Sequence, residues 1–435
     1  MWRIARSFLR WARATAREIL IWCAFKPLET FLPVDRDLWC FCTWDRYAHT
    51  LDNPRAVFEE VKHDPAIRKV VLYRGNRPPA EPIEGTNVRF IEAESLLGMV
   101  YAARAGVILL GYALRVMSSY SRYLTTKHHL IQLWHGVPLK RIGRLFPGEL
   151  WWEAETPRYA ATVSSSERDR SIMQQAFAPI PLERVWLTGL PRNDLILKDE
   201  AALPGDYRDQ LRELRDRIGD RRFVLYAPTW RAESESLYAF SREEIAALEE
   251  LLEAHHAVLG VRGHSNVRSH AAYTSDYRSE AFLNVNDVPD VNVMLRITDV
   301  LITDYSSIYI DFLLTDRPII HFVYDLEAYQ SERGVLYDIP DAFGGPAART
   351  FDDLLSCLEQ ALDEPDAGLE RRHEARRLFH THPDHSARLV ADNIRRLTGT
   401  IAHGGRGTTG PAAATDASGL PAHDRAAINA SGRER

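Results

Sequence analysis

The chain has 435 residues with 54 Lys and Arg against 60 Asp and Glu, a formal charge of −6 that excludes a nucleic-acid binder working through bulk positive charge. Its length exceeds what one ordinary hydrophobic core holds and points to two domains. The four cysteines, Cys23, Cys40, Cys42 and Cys357, include no CxxC pair, which argues against a zinc ribbon or disulfide framework and fits a reducing cytoplasm.

At the start of the chain Arg3, Arg6, Arg10, Arg13 and Arg17 recur at spacings of three and four, while Ile4, Phe8, Trp11, Ile19 and Trp22 fall on another face of the same helix. The arginines interrupt any apolar signal core, and the stretch is short of the roughly 20 apolar residues that span a bilayer. Two readings follow. Either residues 1–30 lie in the interface of an anionic membrane, or their apolar stripe packs on the chain's own domain with the arginines in water.

Next comes a strand-helix rhythm, with expected strands at 70–73, 107–110, 130–134, 161–163 and 185–187 and helices at 54–61 and 167–177. A polar, proline-containing stretch at 199–222 follows, and the rhythm restarts with strands at 223–226, 257–261, 282–285, 300–302 and 318–323 and a helix at 242–254. Continuous apolar runs separated by helices describe parallel strands buried on both faces, so the expected class is α/β, with two Rossmann-like doubly wound sheets in tandem. The divisions are a first domain at 31–205, a second at 206–397, and a Gly-, Ala- and Thr-rich tail at 398–435 expected to be disordered. Neither half carries GxGxxG or GxxxxGK[ST], which disfavours a nicotinamide dehydrogenase or a P-loop NTPase.

Two strand ends carry chemistry. The run Leu130 to Lys140 ends an apolar strand in His135, Gly136, Val137 and Pro138, the way an open α/β sheet presents a base at its carboxyl edge. The run Val300 to Asp311 passes from a strand through Ser306 and Ser307 into a helix, where hydroxyls and free N–H groups can face phosphate oxygens. Helix capping explains such serines equally well.

Trp134 to Lys140, Thr188 to Asp194, Tyr226 to Arg231, Arg262 to His264 and Thr303 to Asp311, in that order over roughly Leu38 to Leu397, resemble the CDP-glycerol glycerophosphotransferase family of teichoic-acid synthesis. The resemblance implies a GT-B fold, two domains facing across a cleft, with the acceptor in the first and a CDP-polyol in the second. The implied reaction moves a polyol-phosphate unit to a hydroxyl of a membrane-anchored, lipid-linked or polymeric acceptor and releases CMP. The implied place is the cytoplasmic face of the membrane, and CDP-glycerol is the donor substrate with no bound cofactor. A CDP-ribitol donor is the alternative, and a GT-B glycosyltransferase using a nucleotide sugar is the second.

By the same resemblance His135 is the catalytic base, and His264 contacts the diphosphate or protonates the departing CMP; alone, His264 reads as a turn histidine. The implied substrate contacts are Trp134, Gly136, Val137, Pro138, Arg192, Pro228, Thr229, Trp230, Arg262, Gly263, Ser306, Ser307 and Asp311. Arg192 is expected as a bidentate phosphate fork, and Asp311 as an acceptor for a ribose or polyol hydroxyl. Many members carry Thr where this chain has Val137 and Pro where it has Ser265, which bears on polyol and acceptor fit. No ligand spacing marks a metal site.

Overall fold

The computed structural model describes residues 2–42, 52–74, 84–146, 151–229, 238, 240–263, 279–337 and 342–399. The expected tail from residue 400 on, together with His264, Ser265 and Trp230, lies outside the described residues, as do the side chains of the helical arginines before residue 15, whereas Thr398 still belongs to the last described helix.

Two parallel sheets carry the chain, as the run pattern predicts. The first contains β1 (Asp35–Cys42), β2 (Arg68–Tyr73), β3 (Val88–Glu92), β4 (Ala105–Leu110), β5 (His129–Gln132), β6 (Tyr159–Ser164) and β7 (Val185–Leu187) in the order β3-β2-β1-β4-β5-β6-β7. The second contains β8 (Arg222–Tyr226), β9 (Ala257–Val261), β10 (Phe282–Asn284), β11 (Val300–Thr303), β12 (Ile319–Phe322) and β13 (Ala347–Ala348) in the order β10-β9-β8-β11-β12-β13. Each order reverses direction next to its first strand, at β1/β4 and at β8/β11, and ligands of open parallel sheets bind in the crevice at such points. The inner strands are apolar where helices cover both faces: every residue of β4 and of β9 is buried.

The two sheets share one core. A single apolar cluster runs from Val57, Leu133 and Ile172 of the first half through Tyr207 and Leu211 of the helix Gly205–Ile218 to Leu225, Phe312 and Val390. Burying each such large side chain stabilises the fold by about 1.5–3 kcal/mol, so the halves are joined by the same force that builds them. Polar ties reinforce the seam. Fully buried Arg55 donates to Glu59 at 2.7 Å and to Asp206 at 2.9 Å, and Tyr207 Oη donates to Asp290 Oδ2 at 2.6 Å.

The last described helix, Ser386–Thr398, crosses back to the first half and packs on α2 (Asn53–Val61). Asp194 accepts from the backbone N–H groups of Ser386 and Ala387 at 2.8 Å each, and Arg395 pairs with Asp64 at 2.8 Å. Gly189 sits under this crossing at φ +78°, where a Cβ would run into His382 O and Ser386 Oγ. The stretch 206–397 therefore does not belong wholly to the second sheet.

The N-terminal helix, α1 (Trp2–Phe31), docks by its second half. Phe25 is buried and stacks on Tyr120 at 4.5 Å, and Glu29 accepts from Thr125 and meets His128 Nε2 at 2.9 Å. Of the expected apolar stripe, Ile19 and Trp22 are exposed, as is Leu20 between them.

Candidate functional site

The site is built where β5 ends. The expected strand 130–134 stops two residues early, because Trp134 adopts φ +52° and takes the chain out of the ladder. That conformation is over-determined. Trp134 N donates to Gln132 Oε1 at 2.9 Å, and its indole packs against Phe177 and Trp152 at centroid distances of 5.3 and 5.7 Å. Trp134, Val137 and Pro138, expected to touch substrate, are buried instead and hold the loop from beneath; Val137, at 1% exposure, belongs to the shared core.

His135 is half-buried at the rim. Its ring lies between Tyr112, stacked at 4.2 Å and 13°, and Trp134 at 4.2 Å. Its Nδ1 stands 3.0 Å from the carbonyl oxygen of Gly111, the residue after β4. A carbonyl only accepts, so Nδ1 carries the proton and the lone pair of the neutral ring is on Nε2.

Gly136 follows at φ +143°, and a Cβ there would lie 2.7 Å from Ser307 Oγ and 3.1 Å from Arg192 Nη2. The glycine thus lets the loop of the first half meet the β11 turn of the second. Beyond it, Lys140 pairs antiparallel with Val335, and Leu336 N donates to Leu139 O at 2.8 Å.

Arg192 departs from its expected role. Its guanidinium donates through Nη1 to His135 O at 2.8 Å and to Asp52 Oδ1 at 3.1 Å, and through Nη2 to Asp311 Oδ2. It is a buried tie between the halves and not an open phosphate fork. Burial opposes its charge, but Asp311 and Asp52 more than offset that and hold it firmly protonated. Asp311, expected to line the donor site, is 1% exposed and spends a carboxylate oxygen on Arg192. Burial pushes its pKa up to about 6 against the lowering effect of Arg192, and Asp52 adds to the rise.

Two further residues belong here that sequence reasoning did not single out. Asp52 caps α2 at φ 72° and accepts from Asn53 N at 2.8 Å. Fully buried Asn53 reaches both Leu133 O and Trp134 O with Nδ2 at 3.0 Å and accepts from Arg192 N at 3.0 Å. An Asp-Asn-Pro triplet signals a helix start, but nothing local signals a partner 80 residues away.

On the second half, Asp304 ties the two central strand ends. Its Oδ1 accepts from Thr229 N at 2.8 Å, Thr229 Oγ1 at 2.5 Å and Tyr305 N at 2.6 Å. Thr229 and Pro228 are buried in that turn, so the Thr229 hydroxyl is spent inward. Ser306 and Ser307 are half-buried at the start of a helix of five residues, Ile308–Phe312, and Ser307 makes no side-chain cap bond. Arg262 turns Nη1 toward Val288 O at 2.8 Å, and Gly263 N donates to Asn286 Oδ1 at 2.7 Å.

At the cleft edge of the first half, buried Asp169 accepts from Ser165 N at 2.8 Å, and Ser165 O accepts from Thr381 N at 2.8 Å. Burial pushes the Asp169 carboxyl up to about 7, against the lowering effect of Ser165. No group of three metal-ligating side chains occurs among the described residues.

The model of a family described as CDP-glycerol:poly(glycerophosphate) glycerophosphotransferase matches residues 24–396. A teichoic acid poly(ribitol-phosphate) polymerase of Bacillus spizizenii is 32% identical over 240 residues, covering 53% of this chain and 38% of that one. A teichoic acid glycerol-phosphate transferase of Staphylococcus aureus is 27% identical over 342 residues, covering 74% and 83%. The structure of the wall teichoic acid polymerase TagF superposes with a TM-score of 0.69 at 21% identity, covering 90% of this chain and 98% of that one, a likeness of fold.

Proposed function

The chain belongs to the CDP-glycerol:poly(glycerophosphate) glycerophosphotransferase family, and from that premise we propose that it moves glycerol phosphate from CDP-glycerol to a hydroxyl of a teichoic-acid-type acceptor. In this reading Nε2 of His135 takes the proton of the acceptor hydroxyl as its oxygen attacks the glycerol-bearing phosphorus. The bond from that phosphorus to the bridging oxygen breaks, and CMP leaves with the electron pair. The observation that carries the reading is the Nδ1 hydrogen bond to Gly111 O, which sets the tautomer so that the basic lone pair is on Nε2.

Ser306, Ser307 and the neighbouring backbone hold the diphosphate in this proposal, and His264 with Arg262 and Gly263 completes the donor side. Arg192 and Asp311 act from beneath by holding the His135 loop and the Ser307 turn in one geometry. Trp230, Thr229 and Pro228 shape the nucleotide end.

The acceptor is lipid-linked or polymeric, and the protein works at the cytoplasmic face of the membrane as a peripheral protein. Exposed Ile19, Leu20 and Trp22 beside exposed Arg17 support that placement, because an apolar strip with flanking cations suits an anionic interface. Among the described residues no helix is long and apolar enough to cross a membrane. CDP-ribitol is the second reading, favoured by the 32% identity to the poly(ribitol-phosphate) polymerase.

The test is CMP release from CDP-glycerol and CDP-ribitol, and UDP release from UDP-glucose, each with a lipid-linked hydroxyl acceptor and His135→Ala alongside. CMP from a CDP-polyol, lost in the variant, is the expected result and identifies the polyol. Turnover of UDP-glucose alone would move the chain to the nucleotide-sugar enzymes.

A further inference from the structure

We propose that Asn53 is a positioning residue for the transfer reaction, setting the orientation of His135 from the start of α2. The proposal rests on His135 acting as the base. Three successive carbonyls, those of Leu133, Trp134 and His135, leave the end of β5, and each is captured from the same side. Asn53 Nδ2 takes the first two at 3.0 Å each, and Arg192 Nη1 takes the third at 2.8 Å. The same carboxamide accepts from Arg192 N at 3.0 Å, so it positions both the loop and the arginine that completes the capture.

The chemistry of the site admits few substitutes. Two carbonyl oxygens demand two N–H donors on one nitrogen, and a backbone N–H demands an acceptor within the same side chain; a carboxamide supplies both. An aspartate would set an oxygen against two carbonyl oxygens, and an alanine would leave buried acceptors unpaired beneath a residue already at φ +52°. With the three carbonyls fixed, the His135 ring has one stacking place between Tyr112 and Trp134, and Gly111 O falls in reach of Nδ1. Without Asn53, the left-handed turn loses two of the bonds that over-determine it, and the imidazole is free to tilt or change tautomer.

The experiment reads His135 directly. Protein labelled with [15N]histidine gives ring-nitrogen signals, and the His135 pair is the one lost in His135→Ala. In the wild type Nδ1 is expected protonated and Nε2 unprotonated in the neutral ring. In Asn53→Ala, and in the smaller polar change Asn53→Ser should alanine prevent folding, that pattern is expected to give way to a mixture. In the same variants kcat falls by about tenfold to a hundredfold, the usual loss when a supporting partner is removed, while the Kd for CDP-glycerol changes by less than about twofold. An unchanged His135 tautomer in the folded variant overturns the proposal whatever the activity does, and so does donor affinity that falls in step with kcat. The nitrogen signals need no substrate, so the proposal is tested even if the chain turns over a different donor.

Discussion

The turn after β5 and the turn after β11 stand at the carboxyl edges of two sheets wound in the same order, yet they are held with opposite polarity. In the first, side-chain donors from Asn53 and Arg192 capture three backbone carbonyls. In the second, one carboxylate, Asp304, captures two backbone N–H groups and the Thr229 hydroxyl. The first arrangement fixes the place of the His135 ring. The second leaves half-buried serine hydroxyls, which rotate cheaply. Under the proposed function, orientation is stored on the side of the base and adaptability on the side of the donor.

The sharpest way to break this contrast is at His135. If the fixed ring is the base, His135→Ala lowers kcat for CMP release by about 10³-fold with the melting temperature nearly unchanged, a loss in the range of positioned proton transfer; activity within tenfold of wild type would remove the base from the first half. The tie between the halves comes next. Arg192→Ala leaves Asp311 buried beside Asp52 without its cation and is expected to lower unfolding free energy by about 3–5 kcal/mol in denaturant titration. Arg192→Lys recovers little, since one ammonium does not reproduce a planar fork serving three acceptors.

A smaller effect probes the fixed polar groups of the first half by pH. The folded chain holds the Asp169 proton up to about 7, whereas its ordinary value is 3.8. Between those values the folded state binds more protons than the unfolded one, so this group's contribution to stability falls as pH rises. Asp169→Asn keeps an acceptor for Ser165 and removes the penalty. Its unfolding free energy from denaturant titration should exceed that of the wild type at pH 8 by on the order of a few kcal/mol, with the gap closing toward pH 4. The smallest change is expected on the adaptable side. Ser307→Ala weakens CDP-glycerol binding by roughly fivefold, the worth of about one net hydrogen bond, and leaves kcat close to wild type in steady-state assays.

What the sequence disclosed followed what is local in it. The strand at Ala257–Val261 and the helix Arg242–Ala254 lie where periodicity puts them, because apolar runs and a Ser241 capping box are contiguous signals. Central strand β1 escaped, since Asp35-Arg36-Asp37 opens it with charge and only its later residues are buried. Strand β3 escaped as a short sheet edge carrying Arg89 and Glu92. At the site, His135 stood out as a candidate because a histidine before Gly136 and Pro138 follows an apolar strand, and the structure places it after β5. The inward turn of Arg192 and Asp311 did not, because their partners come from Asp52 and from the opposite half, and no spacing within a motif encodes a meeting across 119 residues.

The crossing of helix Ser386–Thr398 onto α2 has a consequence for how the protein is made. The first sheet is complete once β7 leaves the ribosome, but a covering element for α2, and the N–H groups that Asp194 needs, emerge some 190 residues later. Until then the apolar face around Val57 and Ile196 lacks its cover from Val390 and Ile394. The nascent first half therefore carries an uncovered apolar face until nearly the whole described chain has been made.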